Sequence, residues 1–118
     1  MKNFLAKIVY QIVGAENSAV EQFDEQLCLI EARDTHEAFF KARMLGVKNE
    51  DEVVTDMGHG LFWKFVDVPY LKELKSMLDG EELYSCVSER DQSDHYASFI
   101  KKRAQEIQER VEQSVIAA

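Results

Sequence analysis

From Phe4 to Val13 the chain reads FLAKIVYQIV, rich in β-branched and aromatic residues, with Lys7 and Gln11 on one alternating face. That pattern predicts a strand. Gly14, Asn17 and Ser18 mark a turn region over 14–19. A second strand is predicted from Phe23 to Ala32. Phe23, Glu25, Leu27, Leu29 and Glu31 take one face, and Asp24, Gln26, Cys28, Ile30 and Ala32 the other. Both faces turn apolar in the middle, as in a strand covered on both sides. The two strands are expected to pair as an antiparallel hairpin with a longish loop.

Periodicity then changes. Asp34-x-x-Glu37 has the shape of a capping box: the Asp34 carboxylate can accept from first-turn N–H groups, and Glu37 can reach back. Ala38, Phe39, Ala42 and Leu45 follow at helical spacing, and Gly46 suits the left-handed residue that ends a helix. Glu52 to Asp56 and Leu61 to Val68 read as a second hairpin across Met57-Gly58-His59-Gly60. In the latter strand, Leu61, Trp63, Phe65 and Asp67 share a face. Pro69 cannot continue a ladder and suits a first helical turn, so a helix is predicted from Tyr70 to Leu78 on the spacing of Leu71, Leu74 and Leu78. Glu82 to Ser88 reads as a fifth strand.

Ser93 or Asp94 can cap a last helix running to about Ile116. Tyr96, Ile100, Ala104, Ile107, Val111 and Val115 make a narrow apolar stripe along it. Such a helix spans on the order of 30 Å at about 1.5 Å per residue. Its stripe needs a cover, either the chain's own sheet or a second copy. The expected fold is therefore α+β: an antiparallel sheet of about five strands, ordered β-β-α-β-β-α-β-α, with helices packed on it and a long C-terminal helix. Residues 1–92 form an acidic α+β domain and 93–118 a C-terminal amphipathic helix.

Composition narrows the function classes. The 118 residues are 46% hydrophobic and 31% charged, which is globular rather than disordered. Net charge is -8, and it is unevenly placed. From Asp94 onward four bases (Lys101, Lys102, Arg103, Arg110) balance four acids (Asp94, Glu106, Glu109, Glu112), so the excess sits in the first part. Nucleic acid and anionic membranes, which need clustered Lys and Arg, are not expected partners; a basic protein is. With no long apolar run and no export signal, the cytoplasm is the expected location.

Four stretches occur in an order that resembles a known family: FLAKIVYQ (4–11), EQLCLIEARDTHEA (25–38), WKFVDV (63–68) and LDGEELYS (78–85). The family is bacterial and is catalogued as "domain of unknown function 4288". The resemblance covers about residues 3–88, and the long last helix looks like an addition to it. It implies a domain boundary and a bacterial, intracellular setting. It carries over no functional residue.

Candidate chemistry is sparse. His36, His59 and His95 share no ligand spacing, and no HExxH or Cys/His cluster exists, so no metal or cofactor is expected. His59 stands between two glycines, which would let a backbone approach a ligand closely. Cys28 and Cys86 read as two buried thiols used as small hydrophobes. The acid runs Glu50-Asp51-Glu52 and Glu81-Glu82 fall in expected loops, and no nucleophile elbow or phosphate loop is present. No catalytic residue is assigned, and the chain is not expected to be an enzyme. The expected role is a self-associating protein-interaction module, a homodimer, with Trp63, Phe65, Tyr96, Ile100, Ile107 and Val111 as interface residues. The alternatives are a small-ligand-binding domain with a pocket near Phe39, Tyr10 and Trp63, or an acidic inhibitor- or immunity-like protein masking a basic partner.

Overall fold

The computed structural model describes residues 1–14, 21–54, 60–87 and 95–117. Six elements follow in order: β1 (Lys2–Val13), β2 (Gln22–Ala32), α1 (Thr35–Lys48), β3 (Asp51–Val54), β4 (Gly60–Leu74) and α2 (Tyr96–Ala117). The strands form one antiparallel sheet in the order β2-β1-β4-β3. The α+β class, the antiparallel pairing and the long last helix agree with the expectation.

β1 and β2 pair without a break from Lys2↔Ala32 to Ile12↔Gln22. Alternation therefore defines two faces. Phe4, Ala6, Ile8 and Tyr10 point inward, where α1 lays Ala38, Phe39 and Ala42 over them. The cap of α1 follows its sequence signature in part. The Asp34 carboxylate accepts from Glu37 N–H at 2.8 Å. Glu37 reaches back one residue further than a capping box requires, to the Arg33 N–H and guanidinium.

Three expectations are corrected. No helix covers Tyr70 to Leu78; β4 continues through Pro69 to Leu74. The ladder with β1 shifts register between Lys7↔Tyr70 and Val9↔Asp67, so Pro69 sits where the ladder is already irregular and its missing N–H does little harm. Leu71 then pairs with Ala6, and Leu74 with Asn3, at the strand period instead of the helical one. No fifth strand forms over 82–87, where only Tyr84 is half-buried; four strands are present among the described residues. Gly46 does not end α1, which runs on to Lys48 with Asn49 as its cap. Its role is close approach: a Cβ there would lie 2.3 Å from a Phe65 ring carbon.

α2 answers the question of its stripe. Ile100, Ala104, Ile107 and Val111 are buried within the same chain, and the last three join the core with Phe39 and Val68. Arg43 ties the layers together. Its guanidinium grips Asp67 with two bonds of 2.9 and 3.1 Å, donates to Gln108 of α2 at 3.0 Å, and lies 4.4 Å over the Phe39 ring.

Candidate functional site

Beneath α1, Phe39 and Tyr10 belong to the core and Trp63 packs against it. Phe39 and Tyr10 are buried, and Tyr10 donates to the Gly46 carbonyl at 3.0 Å. The Tyr10 and Phe65 rings meet edge-on at 6.1 Å. Burial, with Cys28, Asp24 and Glu50 nearby, pushes the Tyr10 phenol up, which keeps it a donor. Trp63 is half-buried and donates to Asp24 at 3.2 Å.

The residues expected at an interface thus divide. Trp63 and Phe65 belong to the inner layer beside the core. Ile100, Ile107 and Val111 are covered by their own body. Tyr96, at the start of α2, packs on Phe23 of β2 at 4.8 Å and donates to Glu25. Of the histidines, His36 lies against Phe40 and His95 is exposed just before α2; His59 falls outside the described residues. Cys28 is half-buried, and burial raises its thiol pKa, which suits an inert side chain, whereas Cys86 is exposed, against the expectation of a buried thiol. Among the described residues no group of acids, histidines and cysteines is placed to hold a metal ion.

The outer face holds a polar cluster. Lys7 stands at its centre, 3.9 Å from Glu25 and 4.6 Å over the Tyr84 ring, while Tyr84 meets Tyr70 edge-on at 5.0 Å. Burial raises the Tyr84 phenol against the lowering pull of Lys7. The cluster pins the 75–87 segment and the start of α2 to the sheet, and each of its members already has a partner.

The unsatisfied surface lies at the rim. Among the described residues β2 is one end of the sheet, paired with β1 alone, and β3 is the other. Leu27 and Leu29 are 47% and 57% exposed, and Leu29 lies beside the exposed Met44 of α1. An open groove of about 580 Å³ runs between β2 and α1, lined by Leu29, Ile30, Glu31, Lys41, Met44, Leu45 and Lys48. Lys41 donates to the Glu31 carbonyl at 2.8 Å, so Glu31 turns its backbone away from β1. Phe23, Glu25, Leu27 and Leu29, in step with it, turn outward too. The sequence pattern of β2 reads as a strand covered on both sides, and the structure corrects that: Cys28 and Ile30 face the core, while Leu27 and Leu29 on the other face are exposed. An apolar run at an edge and one at a buried centre carry the same local signal, so neither leucine could be singled out in advance.

The family described as Domain of unknown function (DUF4288) matches residues 3–85, and the chain belongs to it. The match takes in all four strands and α1 and ends before α2. No curated protein and no solved structure matches the chain. No helix among the described residues is long and apolar enough to cross a membrane.

Proposed function

We propose that this member of the family is a non-enzymatic protein-interaction module that engages its partner along the rim formed by β2 and α1. The supporting observation is the β2 edge, paired among the described residues with β1 alone, and the exposed Leu29 and Met44 that line the groove between β2 and α1. An edge strand offers unpaired backbone groups as well as apolar surface, and strand addition uses both. A second copy of the chain is one partner of this kind. A basic protein, masked as an inhibitor or immunity protein masks its target, is another, favoured by the net charge of -8. The same reading sets the chain in a bacterial cytoplasm, on the strength of the family resemblance.

The test is affinity capture from the native cell with full-length bait, either unaltered or carrying Leu29→Lys. Proteins held by the first and lost by the second support the rim as the binding surface. Equal recovery by both baits overturns it.

A further inference from the structure

Among the described residues Lys48 makes no hydrogen bond and no ion pair, and Lys41 gives one bond to the Glu31 carbonyl and meets no carboxylate. Both lysines line the groove between β2 and α1. Met44 and Leu45 lie between them on α1, with Ile30 across the groove and Glu31 as the acid beside them. In a body of charge -8, two cations without acidic partners are an exception. Apolar side chains flanked by such cations prefer an anionic segment that carries an apolar side chain. Repulsion from the distant acids of the body is screened beyond about 10 Å, whereas a contact inside the groove is not. The groove also opens on the β2 edge. The backbone groups of Leu27 and Leu29 turn outward there, and Lys41, by occupying the Glu31 carbonyl, blunts the end of that edge. A strand added along it would alternate its side chains between the groove on one face and Leu27 and Leu29 on the other.

We propose that the groove between β2 and α1 binds an extended acidic segment of another protein, which adds to the β2 edge as a strand and sets an apolar side chain against Ile30, Met44 and Leu45 between acids that face Lys41 and Lys48. This rests on the reading of the rim as an interaction surface and names the chemistry of its partner. The spacing is compatible. Seven helical positions separate the two lysines by about 10 Å along α1. Two acids on one face of a strand, with one apolar residue between them on that face, lie about 13 Å apart. The long lysine side chains make up the difference. The alternate residues of the segment point to the outer face, where β-branched side chains would cover Leu27 and Leu29. Main-chain bonds then hold the segment, and the groove selects its side chains. The lysines set the sign: a basic strand would bring like charges together in the groove.

The probe is the capped, fluorescently labelled peptide Ser-Glu-Val-Leu-Val-Glu-Ser. One control carries Lys in place of both Glu, and a second carries Ser in place of Leu. Anisotropy with the full chain reads the affinities, and each control is expected to bind at least tenfold more weakly than the probe. Lys48→Glu is expected to weaken the acidic probe at least fivefold and to tighten the lysine control. Lys48 is exposed, and the tightening itself shows that the variant folds. Hydrogen exchange reads the strand pairing. With the acidic probe bound, the amides of Leu27 and Leu29 should exchange more slowly, and those of Leu83 and Val87 should not change. Equal affinity for the acidic and basic peptides, or unaltered binding by Lys48→Glu, overturns the inference. So does binding that leaves exchange at Leu27 and Leu29 untouched. Slower exchange at those two amides on concentrating the chain alone would assign the edge to a second copy instead. No binding at millimolar probe also overturns it; if Leu29→Lys nevertheless loses captured proteins, the rim survives as a surface for a partner of other chemistry.

Discussion

Phe39 and Leu29 are large apolar side chains on neighbouring elements, yet Phe39 is 0% exposed and Leu29 57%. The difference lies in what faces each. Phe39 meets the inner face of the sheet and α2. Leu29 stands on an edge strand, beyond which no further strand lies among the described residues. The inner face holds the fold together, and on the proposed reading the rim is left for a partner.

That contrast can be broken by substitution. Phe39→Ala should cost about 3–5 kcal/mol in urea or thermal unfolding, the range for an aromatic removed from a packed core. Leu29→Ala should stay within about 0.5 kcal/mol in the isolated monomer. Comparable losses at the two positions would erase the distinction. Arg43→Met keeps an apolar stem but removes the guanidinium from over the Phe39 ring and leaves Asp67 without its two charged bonds. A loss of about 2 kcal/mol is expected, since a hydrogen bond to a charged group contributes roughly 1.5–3 kcal/mol. Faster hydrogen exchange around Gln108 should accompany it, because Arg43 is the polar tie between α1 and α2.

Gly46→Ala sharpens the picture because two effects oppose. Alanine improves helix propensity by about 1 kcal/mol, whereas overpacking a filled site costs about 1–3 kcal/mol. With Phe65 at 2.3 Å from the new Cβ, we expect net destabilisation of about 1 kcal/mol, read as a lower melting temperature. A more stable variant would show that the inner layer has slack.

The smallest effect concerns Glu37. Its hydrogen bond to Arg33 holds its carboxyl below the ordinary value. The contribution to folding is therefore full above the unfolded pKa and disappears as pH falls through the depressed folded value. The pair is exposed, so the effect on stability is slight. An NMR titration should show Glu37 titrating low, and Arg33→Ala should return it toward the ordinary range.

β1, β2, α1 and the last helix were legible because each carries a clear period and, for α1, a cap. Pro69 misled because it is a good helix starter in isolation; only its pairing beside an irregularity in the β1–β4 ladder makes it acceptable in a strand. Gly46 misled in the same way, since a glycine near a helix end resembles a terminator until the ring packed on it is known. The rim was illegible for a related reason. Which strand ends a sheet depends on β4 reaching β1 across the sequence, and no local pattern of β2 records that. The stripe on α2 was visible, but whether its cover came from the same chain or a second copy was not.

The pairing of β4 also has a consequence in time. Asn3 pairs with Leu74 and Val13 with Phe62, so the centre of the sheet closes across most of the family domain. β1, β2 and α1 can assemble as soon as they leave the ribosome, but the second edge of β1 must wait for β4. Non-local pairing of this kind bears the loop-closure entropy first and is slow. During synthesis at roughly 5–20 residues per second, β1 spends seconds as an open edge alongside the permanent one on β2. A newborn chain is thus open along β1, which in the finished sheet is paired on both sides while the edges lie at β2 and β3, and crowding of nascent chains is the condition under which misassembly is expected.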